Sequence, residues 1–174
     1  MPVRTLLLLR HAEAVAIAPG RSDADRPLTA AGRTRATEVG EVLRSSGTTV
    51  DLVLCSPALR TRETVEALQL TAPLVLASAI YNAGSDTIVA AITEAVAEHR
   101  AVHGHEPTTL LVVGHAPGVP ALAHDLADPA TSSLAALNAI ERGYPPATLC
   151  RLDTEDPWDA LDSGRLVAVD NGRS

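Results

Sequence analysis

The sequence predicts a three-layer α/β/α sandwich with a mostly parallel central sheet. Two observations favour this class: short apolar runs recur along the chain, and stretches with helical spacing of apolar residues separate them. A run that is apolar throughout is typical of a strand that helices cover on both faces of a parallel sheet. A length of 174 residues fits one domain with one core. We therefore expect residues 1–174 to form one domain with a polar tail at about 171–174.

Strands and helices alternate in the first half of the chain. Thr5–Leu9 is predicted to be a buried strand, and Thr29 stands where it would cap a helix from Ala30 to Ser45, closed by Gly47. The elements predicted after it are a strand at Asp51–Leu54, a helix at Ala58–Leu70, a strand at Leu74–Leu76 and a helix at Asp86–Arg100.

The second half of the chain is partly less regular. Thr109–Val113 is a strongly apolar strand, and Val119–Leu126 is predicted to be helical. The segment Ala127–Pro146 shows no clear periodicity, so no element is predicted in it. Two strands, Thr148–Leu152 and Arg165–Val169, complete the predicted sheet.

Composition excludes several classes of protein. The chain has 14 basic and 21 acidic residues and a net charge of −7, and every basic residue is arginine, so non-specific binding to nucleic acid is disfavoured. Two cysteines, Cys55 and Cys150, build neither a disulfide framework nor a cysteine-rich zinc site. The apolar run Leu6–Leu9 is too short to cross a membrane. We expect a soluble, cytoplasmic protein with no nucleic-acid or membrane partner.

Reactive and anion-binding side chains follow three of the predicted strands. The first strand is followed by Arg10 and His11, the second by Arg60 one turn into the next helix, and the strand at Thr109–Val113 by His115. Sites in open α/β sheets gather beyond the carboxyl ends of the strands. We therefore expect these four side chains to lie close together.

These residue types suit phosphoryl transfer. An arginine fork matches two phosphate oxygens at a time, a neutral imidazole can attack phosphorus, and a protonated imidazole can stabilise the developing charge. Such a set needs no metal or cofactor, because phosphoryl transfer depends mainly on positioning and charge stabilisation. Each group also has an ordinary interpretation, for example an ion pair of Arg60 with Glu63 or Glu66. The joint occurrence at three strand ends favours the site.

Four segments resemble the histidine phosphatase superfamily, which has the phosphoglycerate mutase-like fold, and within it the small SixA-type phosphohistidine phosphatases. They are LLLLRHAEA, DADRPLTAAGRTRA, DLVLCSPALRTRETVE and LLVVGHAPG, and the resemblance runs from about Thr5 to Val169. It implies that His11 is the nucleophile that becomes phosphorylated. It further implies that Arg10 and Arg60 bind the phosphoryl group, and that His115 completes the pocket and stabilises charge.

The chain departs from the family pattern at small residues. Ala12 follows the nucleophile where many members have glycine, and Ala116 follows His115 where asparagine is frequent. Both changes keep the pocket plausible, and we include Ala12 and Asp25 among the residues expected to contact substrate. The resemblance also implies that Cys150 is buried in a late strand.

A general acid is not evident. Other branches of the family carry a glutamate after the third strand, whereas Ala79–Ala83 contains no carboxylate. Glu13, Asp23 and Asp25 are the candidates to replace it. Their ordinary interpretation, a solvated loop with ion pairs to nearby arginines, is the one that we favour.

These observations favour a metal-independent phosphatase that acts on phosphohistidine of proteins in signal transduction. A phosphohistidine leaving group needs protonation less than an alkoxide does, because imidazole titrates near neutrality. The alternatives are a phosphomonoesterase for a small phosphorylated substrate and a non-catalytic phosphate-binding regulatory module. The short segments after the first and third strands predict an open pocket, which suits a phosphorylated protein.

Two other motifs are discounted as sites. Cys55 opens the segment CSPALR, whose spacing is one residue short of the Cys-x5-Arg loop of tyrosine phosphatases, so we expect a packing role. His103, His105 and Glu106 lack a further ligand, and we expect no metal there. We expect His99 and His124 on helix surfaces.

Overall fold

The computed structural model describes residues 2–172 and has a six-stranded mixed sheet with helices on both faces, which confirms the predicted fold class. Residues 173 and 174 of the predicted polar tail lie outside the described residues. The strands are β1 (Arg4–Arg10), β2 (Leu52–Cys55), β3 (Leu74–Leu76), β4 (Thr109–Gly114), β5 (Leu149–Thr154) and β6 (Arg165–Asp170). The helices are α1 (Ala30–Ser45), α2 (Leu59–Leu68), α3 (Ser85–His103), α4 (Gly118–Leu126) and α5 (Leu134–Glu141).

The strand order is β3-β2-β4-β1-β5-β6. Strands β1, β2, β3 and β4 are parallel to one another, whereas β5 pairs antiparallel with β1 and with β6. Arg10 lies opposite Gly114 and Cys55 lies opposite Val113 in the register. The carboxyl ends of β1, β2 and β4 therefore meet at one edge of the sheet.

The core occupies both faces of the sheet because alternate residues of a strand point to opposite sides. In β1, Leu6 and Leu8 belong to the cluster that contains α3, α4 and α5, whereas Leu7 and Leu9 belong to the cluster that contains α1 and α2. All four leucines are at most 1% exposed. The apolar run is thus covered on both faces, as predicted.

Local signals explain the helix boundaries. Helix α1 has the predicted bounds, and Thr29 Oγ1 accepts a hydrogen bond from Gly32 N at 2.9 Å. A Cβ at Gly32 would collide with the carbonyl oxygen of Glu13, so glycine lets α1 approach the segment after β1. Helix α3 continues to His103, beyond the predicted end, and stops at Gly104, whose φ of +79° is left-handed.

Helix α5 lies in the segment for which no element was predicted. Its first turn is capped by Ser133, whose hydroxyl accepts from Ala136 N at 3.4 Å, and it buries Ala136, Ala139 and Ile140. Eight residues are too few for a strong periodic signal. Among the described residues, no helix is long and apolar enough to span a bilayer.

Candidate functional site

Three of the four predicted side chains contact one another at the carboxyl edge of the sheet. Arg60 Nε lies 3.3 Å from His11 Nε2, and Arg60 Nη2 lies 3.2 Å from His115 Nδ1. The ring centroids of His11 and His115 are 5.3 Å apart. The structure therefore brings these residues together from β1, α2 and the end of β4.

Hydrogen bonds fix the tautomer of His11. Its Nδ1 lies 2.7 Å from the carbonyl oxygen of Ala12, which can only accept, so Nδ1 carries the hydrogen. The lone pair is then on Nε2, where Arg60 Nε donates to it. Burial, together with the charges of Arg60 and Arg10, lowers the pKa of His11 to about 4. His11 is thus a neutral imidazole with an available Nε2.

His115 is also neutral in this structure. Burial and the Arg60 charge lower its pKa to about 3. Its Nδ1 accepts from Arg60 Nη2, and its Nε2 donates to Ser56 Oγ at 2.7 Å. The protonated imidazole expected from the sequence is therefore not favoured by the surroundings that the protein itself provides. A bound dianion would raise this pKa, since a nearby negative charge favours the protonated form.

Arg10 has donor capacity that the protein does not use. Its Nη1 donates to the carbonyl oxygen of Tyr144 at 2.8 Å, while its Nε is buried and has no partner among the described residues. A buried donor without a partner costs roughly 1–3 kcal/mol, which a bound oxyanion would recover.

Arg60 pairs outside its own helix. Nη1 donates to the carbonyl oxygen of Asp23 at 2.7 Å, and Nη2 donates to Asp23 Oδ2 at 3.0 Å. The expected alternative partner Glu63 instead accepts from Leu28 N at 2.6 Å. The ordinary interpretation of Arg60 as an intrahelical ion pair is therefore wrong.

The three acidic candidates lie in different surroundings. Asp23 pairs with Arg26 as expected, with Nη1 and Oδ1 at 2.9 Å, but it also contacts Arg60. Glu13 accepts from Thr29 Oγ1 at 2.8 Å, beside the start of α1. Asp25 is exposed, and no contact joins its carboxylate to the pocket among residues 2–172. Of the three, only Asp23 reaches the site.

The pocket contains residues that the sequence argument did not single out. Tyr81 donates to Asp23 Oδ2 at 2.5 Å, and its ring centroid lies 5.2 Å from that of His115. Thr64 Oγ1 accepts from Ala12 N at 3.0 Å, which holds the segment after β1 on α2. Tyr81 lies in the segment Ala79–Ala83, which lacks a carboxylate, and its phenol is the one hydroxyl group of that segment.

Ala12 is fully buried and contributes backbone atoms only. Its N–H reaches Thr64 and its carbonyl reaches His11, while its methyl packs in the core. The departure from glycine at this position is therefore accommodated without disturbing the hydrogen bonds of the site.

Both cysteines are buried free thiols. Burial raises the pKa of each thiol to about 12, so neither is a thiolate near neutral pH. Cys55 Sγ donates to the carbonyl oxygen of Ser56 at 3.1 Å. The expected packing role of Cys55 and the expected burial of Cys150 in β5 are confirmed.

A second group of histidines, the distal histidine cluster, consists of His99, His103 and His105. The ring centroids of His99 and His103 are 4.3 Å apart, and those of His103 and His105 are 6.4 Å apart. Among the described residues, no three His, Cys, Asp or Glu side chains are arranged to hold a metal ion. His99 is 7% exposed, so its expected surface position is wrong, whereas His124 is exposed as expected.

Comparison with protein families identifies one match. The family model described as "Histidine phosphatase superfamily (branch 1)" matches residues 6–79, which include His11 and Arg60. An uncharacterized protein of Mycobacterium tuberculosis is 34% identical over 161 residues, which cover 92% of this chain and 96% of that protein.

Two solved structures resemble the fold over almost the whole chain. The Nakamurella multipartitia protein, assigned as a phosphohistidine phosphatase SixA, is 35% identical with a TM-score of 0.80, over 97% of this chain and 96% of its own. The Agrobacterium tumefaciens protein with the same assignment is 28% identical with a TM-score of 0.74, over 97% and 98%.

Proposed function

The chain belongs to the histidine phosphatase superfamily as a SixA-type phosphatase, and we propose that it removes phosphoryl groups from phosphohistidine on proteins. The observation that carries the proposal is a neutral His11 whose Nε2 lone pair faces Arg60 and whose Nδ1 hydrogen is held by the carbonyl oxygen of Ala12. Arg10 and Arg60 would hold the phosphoryl oxygens. His115 would receive a proton when the dianion binds and donate it to a phosphoryl oxygen as a hydrogen bond.

In the first step, Nε2 of His11 attacks phosphorus. The new N–P bond forms as the bond between phosphorus and the leaving nitrogen breaks, and the electron pair stays on the leaving ring. In the second step, water attacks the phosphorus of phosphorylated His11, the N–P bond breaks, and the proton of the water passes to the released phosphate. Both steps use charge stabilisation by the arginines.

The lack of an evident acid in the pocket favours an imidazole as leaving group. Donated hydrogen bonds, chiefly from Tyr81 and Arg26, hold the pKa of Asp23 well below its usual range, so it stays ionised. A leaving alkoxide needs a proton on the very oxygen that was bonded to phosphorus. A leaving imidazole instead takes its proton on the remote nitrogen, which solvent can supply near neutral pH.

The state of the cysteines bears on the location of the protein in the cell. The two cysteines are unpaired, and free thiols persist in a reducing compartment. We propose a cytoplasmic enzyme in a signalling pathway that uses phosphohistidine.

A side-by-side rate measurement tests the proposal. The substrates are a protein phosphorylated on histidine with phosphoramidate, an aryl phosphate, and a panel of sugar phosphates. We expect kcat/KM for the phosphohistidine protein to exceed that for every sugar phosphate by at least about 100-fold, because only the alkoxide requires an internal acid. Acid-sensitive label from [32P]phosphohistidine should appear on the wild-type enzyme after quenching and be missing from His11→Asn.

The other outcomes overturn the proposal in different ways. Faster turnover of a sugar phosphate would make the protein a small-molecule phosphomonoesterase. Saturable phosphate binding with no turnover of any substrate would make it a regulatory binding module. Label on a residue other than His11 would replace the nucleophile.

A further inference from the structure

We propose that Asp23, held by Tyr81 and Arg26, is a positioning residue that aims Arg60 at the phosphoryl group and is not the proton donor of the pocket. This inference rests on the proposed function for the reaction that it concerns. It assigns a role to a carboxylate that the sequence argument left among three candidates for a general acid.

The guanidinium of Arg60 is held along two edges. One edge faces the imidazoles, with Nε toward His11 and Nη2 toward His115. The other edge faces Asp23, whose carbonyl oxygen accepts a hydrogen bond from Nη1 and whose Oδ2 accepts one from Nη2. Two bonds to two different nitrogens fix the plane of an arginine fork as well as its position.

Asp23 is itself fixed by neighbours from other segments. Tyr81 donates to Oδ2 from the segment after β3, and Arg26 Nη1 donates to Oδ1. Arg26 is anchored in turn, since its Nε donates to the carbonyl oxygen of Val15 at 2.8 Å. The carboxylate is therefore a rigid support for Arg60 rather than a mobile loop side chain.

The partners of Asp23 favour its ionised form over a protonated carboxyl. Arg60, Arg26 and Tyr81 all donate to it, and between them they occupy both oxygens. Protonation would remove the negative charge that two arginines and one hydroxyl stabilise. The strongly lowered pKa of Asp23, caused first by the Tyr81 hydrogen bond, agrees with this geometry.

The hydrogen bonds between Arg60 and Asp23 should matter most when substrate binds. A phosphoryl group between His11 and His115 would take over the N–H groups of Arg60 that now reach the two imidazoles. The N–H groups on Asp23 need not change, so Arg60 keeps its place while its inner edge exchanges partners. Loss of the hydrogen bonds to Asp23 should therefore weaken the binding of every oxyanion, whatever its leaving group.

Leaving-group dependence separates positioning from acid catalysis. The test uses Asp23→Asn and Tyr81→Phe, with Asp159→Asn as a charge-matched control at an exposed position. We expect Asp23→Asn to lower kcat/KM by about 10- to 100-fold and Tyr81→Phe by about 3- to 10-fold, as for loss of charge-assisted and neutral hydrogen bonds. The loss should be equal, within about threefold, across a series of substituted phenyl phosphates, because no proton transfer is removed.

Binding of tungstate, measured by calorimetry without any turnover, supplies an independent readout. The proposal requires Asp23→Asn to weaken tungstate binding and Asp159→Asn to leave it unchanged. A loss confined to the poorest leaving groups, with tungstate binding intact, would make Asp23 a general acid and overturn the proposal. Unchanged kinetics and binding in both Asp23→Asn and Tyr81→Phe would also overturn it.

Failure of the proposed function has a different signature. If the wild-type enzyme turns over none of the substrates, the proposed function is wrong. The tungstate comparison still reports whether Asp23 positions Arg60. Thermal unfolding of each variant checks that the chain is folded. Tyr81→Phe removes one hydroxyl only and serves if Asp23→Asn does not fold.

Discussion

The distal histidine cluster lies near the start of β4 and the pocket histidines lie at its end. The two groups differ in the hydrogen bonds that their ring nitrogens form. His105 precedes β4 and His115 follows it, and the six residues of β4 span about 20 Å. In the pocket, all four ring nitrogens of His11 and His115 have hydrogen-bond partners. In the distal histidine cluster, both ring nitrogens of His99 are buried and have no hydrogen-bond partner within residues 2–172.

Burial lowers the pKa of His11 and His115 at one end and of His99 at the other, so neither proximity nor a lowered pKa distinguishes a site. The pocket differs because backbone and hydroxyl groups fix the tautomers, and because two arginines bring charge that matches an oxyanion. In the distal histidine cluster, the backbone reaches one ring, with His105 Nδ1 3.2 Å from the carbonyl oxygen of Glu106, and within residues 2–172 no arginine donates to any of the three rings. Chemistry at histidine depends on which nitrogen is free and on what faces it.

The largest expected effect separates the two ends by one substitution each. His11→Ala should lower kcat by at least about 1,000-fold, since removal of a nucleophile leaves only binding and charge stabilisation. His103→Ala, the matched change in the distal histidine cluster, should leave kcat within about twofold. Steady-state rates on an aryl phosphate measure both.

Reversed or equal effects of the two substitutions would contradict the functional difference between the two groups of histidines. Activity of His11→Ala within tenfold of wild type would mean that another residue is the nucleophile. A large loss in His103→Ala at unchanged thermal stability would couple the distal histidine cluster to catalysis.

Much of the fold was predictable because the strands are apolar throughout and the helix ends carry strong signals. Thr29 and Gly47 bracket α1 in the sequence as in the structure. Helix α5 was not predictable, because eight residues with few polar positions give little periodicity. The extension of α3 to His103 was missed because Gly104, the left-handed stop, lies beyond the last apolar repeat.

The positions of His11, Arg60 and His115 were predictable because parallel strands bring their carboxyl ends to one edge. The partners of those residues were not. Asp23 lies in a polar loop whose pattern is equally consistent with a solvated surface, and its contact with Arg60 spans 37 residues of sequence. Long-range hydrogen bonds of this kind depend on how the loop folds back, which no local pattern encodes.

A pH profile tests whether the hydrogen-bonded pocket keeps His11 neutral. Because burial and neighbouring arginines lower its pKa to about 4, the nucleophile should stay unprotonated from pH 8 to about pH 5. We expect kcat/KM, corrected for ionisation of the substrate, to show no decrease toward acid pH in that range and to fall only as pH approaches 4; proton uptake by His115 on binding would make it rise toward acid pH, not fall. An acid limb near pH 6.5, the value for an exposed imidazole, would contradict the pKa lowering in the pocket.

The smallest expected effect concerns the stability of the distal histidine cluster. His99→Leu replaces a buried imidazole whose nitrogens lack partners with an apolar side chain, so we expect stabilisation of about 1 kcal/mol. Urea unfolding at pH 7.5 measures it, and activity on an aryl phosphate should stay within twofold. His115→Leu is the matched change in the pocket, where the same substitution removes two hydrogen bonds and should abolish most activity.

The stabilisation by His99→Leu should depend on pH. The pKa of His99 is lowered in the folded protein, first by burial and then by His103 and His105, so between its folded and unfolded values the unfolded chain binds more protons. The contribution of His99 to stability therefore falls as pH drops below about 6.5, and His99→Leu removes that contribution while those of His11 and His115 remain. The advantage of the variant should be larger at pH 5 than at pH 7.5. A destabilised His99→Leu at both pH values would mean that the imidazole nitrogens have partners in solution, and the contrast between the two ends of β4 would no longer hold.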